Sequence, residues 1–144
     1  RISNKPFLHL HRIDERDRIE KGNLRKVIRL LKSLKYDADR EPDFSSYDIA
    51  SVAWSAPSKF WQVDPTQELL LIDQCCKWLD YLSGHHNYAL TLDVPNGTRK
   101  IFGGKGASFS GLSQLQTELH GLRVDIEKGL ARSFRKLQEA RIVY

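Results

Sequence analysis

The hydrophobic positions that follow Asn23 recur at helical spacing. Leucine, valine or isoleucine occupies positions 24, 27, 28, 31 and 34, so the apolar residues follow the i, i+3, i+4, i+7 rule. This periodicity predicts an amphipathic helix that begins at Asn23 and buries one stripe. Because successive residues turn by about 100°, Arg25, Arg29 and Lys32 lie within roughly 60° of one another at the edge of that stripe.

A second helix start lies at Ser45. Ser45 fits the N-cap and Asp48 the acidic N3 position of a capping box, while Phe44 and Ile49 fit the pair of a hydrophobic staple. The helix is predicted to run to about Trp54. Its first turn has free backbone amides and the positive end of the helix dipole, which together favour an anion.

The rest of the chain predicts two further helices and one small β element. Asp64 and Pro65 fit the cap and first position of a helix that ends at Gly84, which is apolar nearly all round and therefore central. Residues 89–102 fit a hairpin with Asn-Gly in its turn, and residues 103–111 fit a glycine-rich loop. Leucine, isoleucine or phenylalanine recurs every three or four residues from 115 to 137 and predicts a long last helix.

Residues 1–21 are polar and predict a short strand or an extended arm. The whole pattern is typical of a mainly α domain over 1–144, a bundle of four to five helices with one small β-hairpin. The 144 residues, 40% hydrophobic and 28% charged, suffice for one core. The chain contains no Met, so we expect it to be a piece of a longer protein.

The composition also limits the cellular setting and the partners. Neighbouring Cys75 and Cys76 are a poor structural staple, which favours a reducing, cytoplasmic compartment. Residues 1–40 hold twelve Lys and Arg against six Asp and Glu, whereas residues 41–144 hold eleven against twelve. The basic excess therefore lies in the first quarter of the chain and indicates a phosphate-bearing partner there, or else a solvated helix face.

Most motifs with a known chemistry are absent or incomplete. The adjacent cysteines and the adjacent His85 and His86 lack the spaced pairs of a zinc site, so we expect no metal ligand in this chain. Residues 103–108 lack the P-loop pattern, and no G-x-S-x-G or H-E-x-x-H occurs. Nothing in the chain predicts a self-sufficient active site.

One constellation remains, at the end of the first predicted helix and the start of the second. Lys32 and Arg29 supply charge for a phosphate, Ser46 a hydroxyl beside free amides, and Tyr47 a ring for a nucleobase. These are the groups needed to hold a nucleoside triphosphate. The alternative interpretation, in which Ser46 only begins a helix and Tyr47 only fills the core, is equally compatible with the residues.

The segments 24–32 and 45–50 resemble the C-terminal helical half of the oligoadenylate synthetase and cyclic GMP-AMP synthase-like nucleotidyltransferases, and 92–99 is similar to bacterial members. The resemblance implies a substrate-binding domain of the poly(A) polymerase and oligoadenylate synthetase type. It also implies that Lys32 and Arg29 bind the donor triphosphate, that Ser46 contacts phosphate and that Tyr47 stacks on the donor base.

The catalytic signature of these enzymes, a Gly-Ser turn followed by paired carboxylates that hold two Mg²⁺ ions, is absent from the chain. The resemblance thus implies that a missing N-terminal domain holds Mg²⁺ and is this domain's partner, with 1–21 as the linker. A rival hypothesis is a non-enzymatic module that binds nucleic acid backbone through Arg25, Arg29 and Lys32. A third is a helical protein-interaction domain.

Overall fold

The computed structural model describes residues 4–143, with side chains for 7–133, 135 and 136. Within these residues the chain is mainly helical, which confirms the mainly α fold. A short 3₁₀ helix at Ser58–Phe60 precedes the central helix. The helices are α1 (Asn4–Ile19), α2 (Asn23–Asp37), α3 (Ser46–Ser55), α4 (Glu68–Gly84), α5 (His86–Ala89) and α6 (Phe109–Val143).

Helix α2 forms as its periodicity predicts and packs against α1, α3, α4 and α6. Leu24, Val27 and Leu31 are almost fully buried along its apolar stripe. Trp61 and Trp78 fill the core beside it, and each indole N–H donates to a backbone carbonyl of α3. These hydrogen bonds fix α3 against the core, because a buried donor left without an acceptor is costly.

The prediction of a strand or extended arm at the start of the chain is wrong over residues 4–19, which form α1. Its apolar stripe is too sparse to recognise, since the described buried side chains of α1 are His9 and Ile13. Tertiary contacts hold the helix instead. The Arg16 guanidinium donates to the carbonyls of Trp54 and Ala56 at the end of α3, where cations are favoured.

Helix α4 begins later than predicted, at Glu68. The Asp64 carboxylate accepts from the backbone N–H and the hydroxyl of Thr66 at 2.9 and 2.8 Å, and the Asp64 carbonyl accepts from the N–H of Gln67. Asp64 thus closes a turn instead of capping a helix, two roles that use the same side-chain chemistry. The prediction of α4 as a central helix ending at Gly84 is confirmed, since it packs against α2, α5 and α6.

The predicted hairpin at 89–102 is reduced to one antiparallel bridge between Asp93 and Lys100. Ala89 belongs to α5, and Gly97 adopts φ 71° in the turn. The glycine-rich loop is shorter than predicted, since α6 begins at Phe109. Gly111 lies in the first turn of α6 and packs directly on the backbone of Asp43, just before α3.

Helix α6 is the predicted long last helix. Leu112, Leu115 and Leu119 are buried in the core, whereas Val124 and Leu130 are exposed. Of its predicted apolar positions, Phe134 and Leu137 lie outside the described side chains. No helix in the described part of the chain is long and apolar enough to cross a membrane.

Candidate nucleotide-binding site

The N-terminus of α3 is capped by the Ser45 side chain, which forms one half of the predicted capping box. The Ser45 hydroxyl accepts from the backbone N–H of Asp48 at 3.0 Å and donates to the Asp48 carboxylate at 2.9 Å. The other carboxylate oxygen accepts from Arg99 Nη2 at 2.8 Å. Asp48 is almost completely buried, so this ion pair joins the start of α3 to the segment after the 94–97 turn.

Tyr47, in the first turn of α3, is covered by side chains from distant segments. The His9 ring of α1 stacks on it, with 4.2 Å between ring centroids and 19° between planes. The Arg99 guanidinium carbon lies over the same ring, 5.5 Å from its centroid. Burial raises the pKa of Tyr47, while the charge of Arg99 and a side-chain hydrogen bond with Asn96 oppose that shift.

His9 stacks on Tyr47 and is affected by the charge of Lys32. The imidazole is buried, and its Nδ1 is an orphan among the described residues, with no hydrogen-bond partner. Burial lowers the pKa of His9, and the positive charge of Lys32 lowers it further. The charge of Lys32 therefore acts on the imidazole that stacks on Tyr47.

Ser46 lies where the end of α2 approaches the start of α3. Its hydroxyl is 2.8 Å from the hydroxyl of Tyr36, and Tyr36 is exposed. The predicted proximity of these two helix ends is therefore observed. The Ser46 hydroxyl has a neighbour that is able to donate or accept, so it remains compatible with a phosphate oxygen.

The other two predicted cations have different surroundings. Arg25 forms ion pairs with Asp14 and Asp17 of α1, so its charge is already neutralised. Arg29 lies in the wall of a cavity of about 340 Å³ between α2 and α4, with Lys26 and Glu68. The three cations that were expected in one row along α2 thus have different surroundings. Arg25 is ion-paired, Arg29 lines the cavity, and Lys32 acts on His9.

Sequence reasoning missed four residues at this site: His9, Tyr36, Asn96 and Arg99. Tyr36 lies ten residues from Ser46, whereas the other three lie at least 37 residues away along the chain, and periodicity does not report such contacts. Gly106 lies beside the Arg99 guanidinium, and a Cβ there would meet the carbonyl oxygen of Ile101 first. The one sequence signal for Arg99 was the similarity of the segment 92–99, which ends at this residue, to bacterial nucleotidyltransferases.

The cysteines and histidines form no metal centre in the part of the chain with described side chains. Cys75 and Cys76 are buried free thiols, and burial raises the pKa of both. No group of three or more His, Cys, Asp or Glu side chains is placed to hold a metal ion among these residues. The thiols are packing groups of α4.

Two curated proteins are similar in sequence to this chain. Over 105 residues the chain is 46% identical to the cyclic dinucleotide synthase CdnE of Yersinia aleksiciae. The chain is homologous to CdnE cyclic dinucleotide synthases. A c-di-GMP synthase of a Lachnospiraceae bacterium is 25% identical over 122 residues. No family model matches the chain.

The solved structure of a CdnE c-di-GMP synthase from Capnocytophaga granulosa has the same fold, with a TM-score of 0.75 and 28% identity over 85% of this chain. The shared region is the helical domain of that synthase. The chain spans 28% and 34% of the lengths of the two curated relatives and 40% of the solved one. It is therefore related to one part of a nucleotidyltransferase.

Proposed function

We propose that this chain is the donor-binding domain of a nucleotidyltransferase of the cyclic dinucleotide synthase type. Lys32 and Ser46 hold the triphosphate and Tyr47 stacks on the base. A further domain, of the kind that accounts for the remaining length of the relatives, carries out the transfer. The observation that carries the proposal is the position of Ser46 and Tyr47 in the first turn of α3, where the end of α2 approaches it.

The chemistry of this surface suits a phosphate chain. The first turn of α3 offers backbone N–H groups and the positive end of the helix dipole. Lys32, whose charge acts on the His9 ring that stacks on Tyr47, adds a full positive charge. Arg99 is paired with Asp48 and Arg25 with two aspartates, so neither adds a free charge for phosphate. Arg29 is exposed one helical turn before Lys32 and supplies a second cation for a long anion.

The described side chains form no cluster that could hold a Mg²⁺ ion by itself. Such an ion needs oxygen ligands, usually carboxylates, and the described side chains offer no cluster of three candidate ligands. We therefore derive no metal-dependent step from this chain. In the proposed intact protein the ion reaches this domain only as the counterion of the bound nucleotide.

Isothermal titration of the chain with MgATP and MgGTP tests the proposal. Lys32→Ala removes the cation at the triphosphate and is expected to weaken binding about tenfold or more, since a charge-assisted hydrogen bond contributes roughly 1.5–3 kcal/mol. Tyr47→Ala is expected to weaken binding to a similar extent, because stacking of a base on an aromatic ring contributes about 1–3 kcal/mol.

Lys77→Ala is the matched control, because it removes one exposed lysine from α4 and so the same charge. It should leave nucleotide binding unchanged. Equal effects of Lys32→Ala and Lys77→Ala would contradict a defined site. Binding of any DNA duplex with a steep salt dependence, without preference for a nucleotide, would instead support the rival module that binds nucleic acid backbone.

A further inference from the structure

The stack of His9 on Tyr47 leaves no space for a third ring. Aromatic carbons in contact lie about 3.5–4.0 Å apart, so a base held between two rings needs a centroid separation of about 7–8 Å. The observed separation is 4.2 Å. A nucleobase therefore reaches this area of Tyr47 only after the His9 ring has left it.

Of the two side chains over the Tyr47 ring, His9 is the one less restrained. Arg99 is fixed by Asp48 at 2.8 Å and by the carbonyl of Lys100 at 2.9 Å. The buried Nδ1 of His9 has no hydrogen-bond partner in the described chain, so His9 breaks no such bond when it moves. Moving Arg99 would break an ion pair, and moving His9 relieves an unsatisfied buried nitrogen.

The position of His9 in α1 also permits movement. The described bonds from α1 to the rest of the domain begin at Arg12, which donates to the carbonyl of Pro95 at 2.6 Å, and continue through Arg16 and Asp17. His9 precedes all three. Phe7 and Leu10 on either side of it are 71% and 54% exposed, and displacement of the His9 ring breaks none of these described bonds.

We propose that His9 is a gating residue of the nucleotide site, whose imidazole occupies Tyr47 in the free protein and is displaced by the base of an incoming nucleotide. This inference rests on the proposed function and adds to it a determinant of affinity. When only a fraction of the protein has an open site, the apparent dissociation constant rises by the reciprocal of that fraction. His9 therefore lowers the affinity for every base that stacks on Tyr47.

Three variants test the gate by titration of the complete chain with MgATP and MgGTP. His9→Ala removes the ring and is expected to tighten binding about tenfold, as for a stack populated about nine-tenths of the time. His9→Phe keeps a ring on Tyr47 without a nitrogen and is expected to bind like the wild type. His11→Ala is the control, because it removes an exposed imidazole two residues away whose partner among the described residues is Glu15 of the same helix.

Each result is decisive. Unchanged or weaker binding by His9→Ala, with its circular dichroism spectrum intact, overturns the gate and leaves the proposed function standing if the wild type binds. Weaker binding by His9→Phe would assign His9 a polar contact with the ligand and also overturns the gate. If neither the wild type nor His9→Ala binds a nucleotide, the proposed function fails together with the gate.

A second readout follows the imidazole directly. In the free protein the ring current of Tyr47 should displace the NMR signal of the His9 Cε1 proton, and Tyr47→Ala should remove that displacement. Saturating MgGTP is expected to return the signal toward its ordinary position. An unchanged His9 signal in the nucleotide-bound protein contradicts the displacement.

Discussion

Gly111→Ala should destabilise the domain and disturb the approach to the candidate site. A Cβ at this position would overlap the carbonyl oxygen of Asp43 and lie 2.7 Å from its carbonyl carbon, and ordinary contact begins at 3.4 Å, so the two backbones must separate by more than about 0.7 Å. Asp43 directly precedes Phe44, which is buried in the core. Overpacking of this kind costs about 1–3 kcal/mol, so we expect a loss of about 2 kcal/mol in the free energy of unfolding.

Thermal unfolding followed by circular dichroism measures this effect. A domain of this size changes its Tm by about 3 °C per kcal/mol, so Gly111→Ala should lower the Tm by about 6 °C. Gly121→Ala is the matched control in α6, since a Cβ there meets nothing within 4 Å. Its higher helix propensity should raise stability by about 0.5–1 kcal/mol. Equal Tm values for the two variants would refute the argument from close packing.

Three further predictions concern charge and chemistry. Asp48→Ala should cost about 2–4 kcal/mol in chemical denaturation, because the ion pair between the buried Asp48 carboxylate and Arg99 is lost together with the hydrogen bond from the Ser45 hydroxyl; Asp93→Ala, whose pair with Lys100 is half exposed, should cost less than about 1 kcal/mol, and equal losses would contradict this difference. The pKa of His9 is below its ordinary 6.5, so the wild type should lose stability relative to His9→Phe as pH falls below about 6.5, because the unfolded chain then binds the proton more readily; parallel stability curves would refute the shift. Cys75 should react with a thiol reagent only as fast as the domain opens, since burial raises its pKa; fast labelling of the folded protein would contradict that burial.

The helices with strong local signals were predictable. The stripe of α2 and the capping box of α3 act within one or two turns, so the sequence pattern suffices for both. Asp64 shows the limit of local chemistry, because the same carboxylate caps a helix or closes a turn depending on the conformation of the next few residues. The start of α1 was missed since Arg16, which binds carbonyls of α3, stabilises it through tertiary contacts.

The candidate site was predicted only on its α2 and α3 side. Lys32, Ser46 and Tyr47 lie near helix ends, whose relative position the short connection predicts. His9 and Arg99 reach Tyr47 from sequence positions 38 and 52 residues away, and no periodicity reports such distances. Arg25 looked free in the sequence because its partners, Asp14 and Asp17, belong to the helix that was missed.

The most direct test of the central claim is an NMR map of the isotope-labelled chain during titration with MgGTP. We predict that the largest shifts fall on the amides of Ser46 and Tyr47 and on the Lys32 side chain, and that Lys32→Ala abolishes them. Shifts confined to the α4 wall of the α2–α4 cavity, around Glu68 and Ile72, or no saturable shift at millimolar nucleotide, would contradict donor binding at the N-terminus of α3.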